Sequence, residues 1–284
     1  MSEEADPGGA AGDLEVNGIA ELPGGRRLSY QIRRGSEDQP FVLLHRPLGG
    51  TTALWGPFRE ALSGRFRVLS FDPRGVGRSS DPGALHSTRR MAEDAVLLLD
   101  HLEIERAHIF GLSLGGMAAM RIAIDAPERV VKLVLASTTD RGIDASSGGL
   151  RRGLSFAACL ARPAALVERC ITMRILSGRF RRERADEVDR ITSIVDSERM
   201  SRTNILKLIA AAAAHDARSD IHRLECPTLV LAAKDDPLLD VETQAALAAR
   251  IRSAEFDVIG PSGHDMSLEQ PVATAARVAA FLLG

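Results

Sequence analysis

From Phe41 onward, short apolar runs alternate with longer amphipathic stretches, and this alternation leaves few folds open to the chain. "FVLLH" precedes a helical segment through Trp55 and Leu62. "RVLSFD" precedes a loop and then the helix "RRMAEDAVLLLDHL". "AHIFGL" leads into "LGGMAAMRIAIDA", and "VVKLVLAS" follows. Apolar runs without polar alternation are the pattern of strands buried on both faces. Repeated strand, helix, strand therefore predicts an α/β protein whose parallel sheet is covered by helices on both sides. Ahead of this unit, "LEVNGIAEL" and "RRLSYQIR" flank "PGG", the signature of an antiparallel hairpin.

The rhythm stops at about Asp140. From Arg141 to Asp220 helical periodicity dominates and no strand pattern is convincing, so residues 141–220 are expected to form a helical cap inserted after the sixth strand. At Pro227 the earlier pattern resumes with "PTLVLAAKD", a helix through "VETQAALAARI", the strand "AEFDVIG" and a terminal helix ending at Leu283. The expected organisation is a flexible tail over 1–13, a core in two parts, 14–140 and 221–284, and the cap between them.

A hydrophobic fraction of 45% with 26% charged residues is that of a globular protein, and a net charge of -2 exerts no global pull on nucleic acid or membrane. A small-molecule substrate is the expected partner, and nothing in the sequence sets an oligomeric state. The opening "MSEEADPGGAAGD" lacks the basic start and apolar core of a secretory signal, which favours a cytoplasmic setting. Cys159, Cys170 and Cys226 form no C-x-x-C pair, so no zinc site is indicated and reduced thiols in a cytoplasm are expected; Cys159 and Cys170, eleven apart, would lie on one side of a continuous helix as small buried residues.

"GLSLGG", residues 111–116, matches G-x-S-x-G between a strand and a helix. Such a turn forces its serine into strained backbone geometry, and the flanking glycines let neighbouring segments come close. A serine hydroxyl is a poor nucleophile until a base takes its proton, and the base needs an acid to fix its tautomer. Both partners follow later strands. "LVLAAKDDP" ends in two aspartates, of which Asp236 is preferred as the fourth residue of a small-x-x-Asp turn, with Asp235 as the alternative; "VIGPSGHDM" sets His264 in a glycine-containing loop. His86, His101, His108, His215 and His222 are read as structural or solvent-facing.

With these residues placed, the chain resembles the α/β-hydrolase superfamily and is most similar to its 3-oxoadipate enol-lactonase and esterase-like branch. "FDPRGVGRSS", "GLSLGG", "APERVVKLVLAS" and "GPSGHDMSLEQP" carry the resemblance, which is weak across the insertion. It implies an eight-stranded, mostly parallel sheet with a helical cap, and it puts nucleophile, acid and base on Ser113, Asp236 and His264. Serine at 113 disfavours the haloalkane dehalogenases and epoxide hydrolases of this fold, whose nucleophile is a carboxylate. No metal or organic cofactor is implied.

"HRPLGG", residues 45–50, departs from the family pattern. An oxyanion needs fixed N–H donors. The residue after the nucleophile, Leu114, supplies one, and the loop after the third strand should supply the other. An ungapped reading puts that donor on Pro47, which has no N–H; a one-residue insertion moves it to Leu48. Arg46 replaces a usual glycine and has three destinations: solvent, a carboxylate partner, or the pocket, where it would bind a substrate carboxylate. Arg46 and Trp55 are the candidate substrate-binding residues. Leu154, Phe156, Leu160 and Met173 would give the cap a lipophilic roof. The arginines of "GRFRRERADEVDR" either favour anionic substrates or pair with the interspersed acids.

The resulting expectation is a serine hydrolase cleaving an ester or lactone through an acyl-enzyme. The alternatives are a natural-product tailoring enzyme on the same fold, performing cyclisation, decarboxylation or dehydration, and a non-catalytic ligand-binding protein that keeps the pocket.

Overall fold

The computed structural model describes residues 15–33, 35–81, 83, 85–142, 158–198 and 200–284. The expected tail, 1–13, and the roof residues Leu154 and Phe156 lie outside the described residues.

Eight strands form one sheet: β1 (Glu15–Leu22), β2 (Arg26–Arg33), β3 (Phe41–His45), β4 (Arg67–Phe71), β5 (Ala107–Leu112), β6 (Val130–Ala136), β7 (Thr228–Ala233) and β8 (Ala254–Ile259). Their order is β1-β2-β4-β3-β5-β6-β7-β8. The β1–β2 hairpin and the β2–β4 pairing are antiparallel, and every other pairing is parallel.

The unbroken apolar runs have the expected cause. On β3, Leu43 joins one core cluster while Val42 and Leu44 join the other; Leu69 against Val68 on β4, and Ile109 against Phe110 on β5, divide the same way. Helices α2 (Thr88–His101) and α3 (Leu114–Asp125) cover the first face with Ala95, Leu98, Met120 and Ile124. Across the sheet, α1 (Gly56–Ser63) and the C-terminal helix (Pro271–Leu283) supply Phe58, Leu62, Val278 and Phe281. Each such leucine or phenylalanine stabilises the fold by about 1.5–3 kcal/mol.

Between β6 and β7 the chain forms α4 (Ala164–Ile175), α5 (Gly178–Glu183), α6 (Ala185–Ser197) and α7 (Arg202–Ala213). Ser177 and Ser201 start α5 and α7 by accepting the amides of Phe180 and Asn204 at 3.0 and 3.1 Å. The insertion closes at its root through an antiparallel bridge between Arg141 and Asp216. Val167, Ile171, Met200, Ile205 and Leu208 then cluster with Leu114 and Met117 of α3, with Leu48 and Leu160 packed alongside. A second cluster joins Leu176, Phe180, Val188 and Ile191 to Leu54 and Leu268, with Met173 at its margin. The insertion thus sits on the carboxyl end of the parallel strands.

Cys159 and Cys170 form a disulfide with Cα atoms 5.5 Å apart, which corrects the expectation of reduced thiols. A spacing of eleven on one continuous helix would keep the two apart, but the chain turns at Arg162-Pro163 before α4 and folds Cys159 back onto it. Disulfides are rare in reducing compartments, so the thiols no longer argue for the cytoplasm. Cys226 is free, and burial pushes its thiol pKa up.

Candidate active site

Ser113 stands between β5 and α3 with φ 55° and ψ -118°, a backbone conformation costing about 1–3 kcal/mol for a residue other than glycine. Its amide donates to the Ala136 carbonyl at 2.9 Å, and its own carbonyl accepts from Thr138 Oγ1 at 2.7 Å, so the end of β6 and the residues just after it hold the turn. At Gly115 a Cβ would overlap the carbonyl oxygens of His45 and Arg46. Only glycine lets the start of α3 lie directly on the loop that follows β3.

Asp236 lies in the turn after β7. Its Oδ1 accepts the amides of Leu238 and Leu239 at 2.7 and 3.1 Å, which leaves Oδ2 aimed at His264 Nδ1, 2.8 Å away. His264 Nε2 is 2.8 Å from Ser113 Oγ. With its proton on Nδ1 and donated to Asp236, the ring offers the Nε2 lone pair to the serine hydroxyl. Burial by itself would lower the His264 pKa, but the charge and hydrogen bond of Asp236, with the charge of Asp265, hold it above the ordinary imidazole value. The histidine is therefore a stronger base than one in water. Asp235, the alternative acid, is exposed, and its amide donates to Ser262.

Three side chains remote in sequence thus meet at the carboxyl end of a parallel sheet. The family model described as alpha/beta hydrolase fold matches residues 40–271. The chain belongs to the α/β-hydrolase fold family. It is 31% identical over 269 residues to a putative carbamate hydrolase RutD of Caulobacter sp. strain K31, covering 90% of this chain and 96% of that relative. It is 28% identical over 248 residues to 3-oxoadipate enol-lactonase 1 of Acinetobacter baylyi, covering 87% of this chain and 90% of the relative. Among solved structures, the enol-lactonase from Burkholderia xenovorans LB400 superposes with a TM-score of 0.84 at 23% identity, covering 94% and 100% of the two chains, a likeness of fold. A hydrolase from Pseudomonas aeruginosa PA01 gives 0.82 at 30% identity over 96% and 100%. This chain is accordingly an α/β-hydrolase enzyme.

Two substrate-binding assignments need correction. Arg46 is 1% exposed; its Nη2 donates to Asp265 Oδ2 at 3.1 Å, and its guanidinium lies 4.5 Å from the centre of the Trp55 ring. Of its three destinations it takes the carboxylate, because a buried cation needs a counter-charge. Trp55 is fully buried against Phe58 and Phe110 in the core beside the sheet, where its apolar area stabilises most. Among the insertion's arginines, Arg179 pairs with exposed Glu183 and half-buried Arg190 with Glu187, each at 2.8 Å.

In the loop after β3, Gly49 and Gly50 have φ of 77° and 89°, a conformation that favours glycine, and the backbone bends at Leu48 and Gly49. Among the described residues no protein acceptor takes the amide of Leu48 or of Leu114. Asp72, after β4, accepts the Thr52 amide at 2.8 Å and fastens the far side of this loop.

Three carboxylates at the site had no distinct signal in the sequence. Asp265 sits in the quoted "HDM", beside the histidine it affects. Glu269 accepts Ser177 N and Oγ at 2.6 and 2.7 Å, tying the insertion to the loop of His264, and burial raises its pKa. Glu168, in "LVERC" of α4, accepts the Gly50 amide at 3.3 Å. Each partner lies far along the chain, where no local pattern points to it.

Proposed function

We propose that the protein is a serine hydrolase that cleaves an ester or lactone through an acyl-enzyme. The chain of hydrogen bonds from Asp236 to His264 to Ser113 is the observation that carries this reading. Ser113 Oγ attacks the substrate carbonyl carbon while its proton passes to His264 Nε2, and Asp236 stabilises the imidazolium. The carbonyl oxygen becomes an oxyanion held by the Leu114 amide and, from the loop after β3, the Leu48 amide. Collapse expels the alcohol, which takes the proton from His264. Water, activated by the same histidine, then releases the acid. The helical insertion, residues 141–220, acts as a cap that keeps bulk water from this step.

The similarity to a putative carbamate hydrolase supports a second substrate reading, in which the same acyl transfer breaks the bond from a carbamate carbonyl to its leaving group. Arg46 offers no support for a carboxylated substrate, since Asp265 already takes its charge.

Turnover of short p-nitrophenyl esters and p-nitrophenyl carbamates by wild type and Ser113→Ala tests this. Wild type should release p-nitrophenol, and the variant should lose about 10⁶-fold in kcat, as with other serine hydrolases stripped of their nucleophile. Ester or carbamate preference in wild type decides between the two readings. Equal turnover by both proteins would overturn the mechanism.

A further inference from the structure

We propose that Glu168 is a positioning residue for the oxyanion loop, holding the Gly50 amide so that the Leu48 N–H stays aligned on the oxyanion. The proposal rests on the serine-hydrolase reading. Glu168 is 5% exposed, and its two oxygens serve different segments: Oε1 accepts the Gly50 amide at 3.3 Å, and Oε2 accepts the Met200 amide at 3.0 Å. A carboxylate this deep needs such donors, because an ionised group out of water is otherwise costly. The loop is shaped to receive it. A Cβ at Gly49 would stand 3.3 Å from Glu168 Oε1, so bare backbone at the turn lets the carboxylate in.

The loop is fixed at both ends. Arg46, two residues before Leu48, donates to Asp265 next to His264; Gly50, two residues after it, donates to Glu168. The helix that carries Glu168 also reaches the base, since the carbonyl of Ile175, the last residue of α4, accepts the His264 amide at 2.9 Å. Glu168 and Ile175 are two turns apart, about 10 Å along a rigid rod. One helix of the insertion therefore sets the separation between the loop bearing the oxyanion donor and the loop bearing the base. Glu168 touches no reacting atom, so its effect is confined to alignment.

The test compares wild type, Ser113→Ala, Glu168→Gln and Glu168→Ala on a short p-nitrophenyl ester, with melting followed by circular dichroism. A trifluoromethyl ketone serves as the second probe. It adds to Ser113 as the serine proton moves to His264, and its carbonyl oxygen becomes an oxyanion in the same place. Glu168→Ala should lower kcat by about 10–100-fold, short of the 10²–10³ for outright loss of a donor, with KM within about twofold. Affinity for the ketone should fall by the same factor as kcat/KM. Glu168→Gln keeps one acceptor oxygen and should lose less; should Glu168→Ala fail to fold, the isosteric variant carries the test. Unchanged kcat and ketone affinity, a rise in KM alone, or a faster Glu168→Gln would each overturn the proposal. Wild type that turns over no ester, or an active Ser113→Ala, would overturn the hydrolase reading and the proposal with it.

Discussion

The carboxyl edge of the sheet and the helical insertion above it are held by contacts of very different range. At the edge, Asp236 is oriented by amides two and three residues ahead of it, and Ser113 by the turn it sits in. The insertion is fastened by pairs remote in sequence, Gly50 to Glu168 across 118 positions and Ser177 to Glu269 across 92. The groups assigned to bond making stand on short turns of a packed sheet, and those assigned to alignment come from elsewhere in the chain. A scaffold of this kind keeps its chemistry while the insertion varies.

The largest effect should come from the edge. Asp236→Asn leaves the shape of the turn but removes the charge that fixes the His264 tautomer, and kcat should fall by about 10⁴. The pH dependence gives the sign independently. In the proposed mechanism His264 takes the serine proton only when neutral, and its pKa is raised, so the acid limb of kcat/KM for wild type should lie above the ordinary imidazole value. Removing the Asp236 charge should move that limb to lower pH. A wild-type limb below the imidazole value would break the contrast, since the edge would then not be tuned by its own short-range contacts.

The junction between the two regions comes next. Arg46→Met strands the Asp265 carboxylate in a site where both side chains are at most 2% exposed, and should cost about 3–5 kcal/mol in chemical denaturation. The double variant with Asp265→Asn should recover part of the loss. Full stability of the single variant would mean that the pair does not fasten the loop. Within the insertion the effect should be smallest: reducing the Cys159–Cys170 bond, which closes a short loop, should cost about 2–3 kcal/mol and lower Tm. Unfolding of the sheet at the same midpoint would show that the insertion is not a separately loosened unit.

The same difference in range explains what the sequence disclosed. The sheet, its order of strand and helix, and the insertion after the sixth strand were readable because each is written in local periodicity. Ser113, Asp236 and His264 were readable because each follows a strand at a turn of recognisable chemistry. Arg46 was not: its partner is 219 positions away, and nothing near "HRPLGG" distinguishes a carboxylate partner from solvent or pocket. Trp55 follows the loop as a pocket residue would, yet the space beside Phe110 takes it into the core. Cys159 and Cys170 were read along one helix, and the turn at Pro163 that joins them carries no periodic signal.

The role of Ser113 is decided by where a fluorophosphonate probe attaches. Peptide mapping of the labelled wild-type protein should find the adduct on Ser113 alone, with Ser113→Ala unlabelled and His264→Ala labelled at least about 10³-fold more slowly. An adduct on another residue, or His264→Ala labelled at the wild-type rate, would mean that Ser113 is not a nucleophile activated by His264.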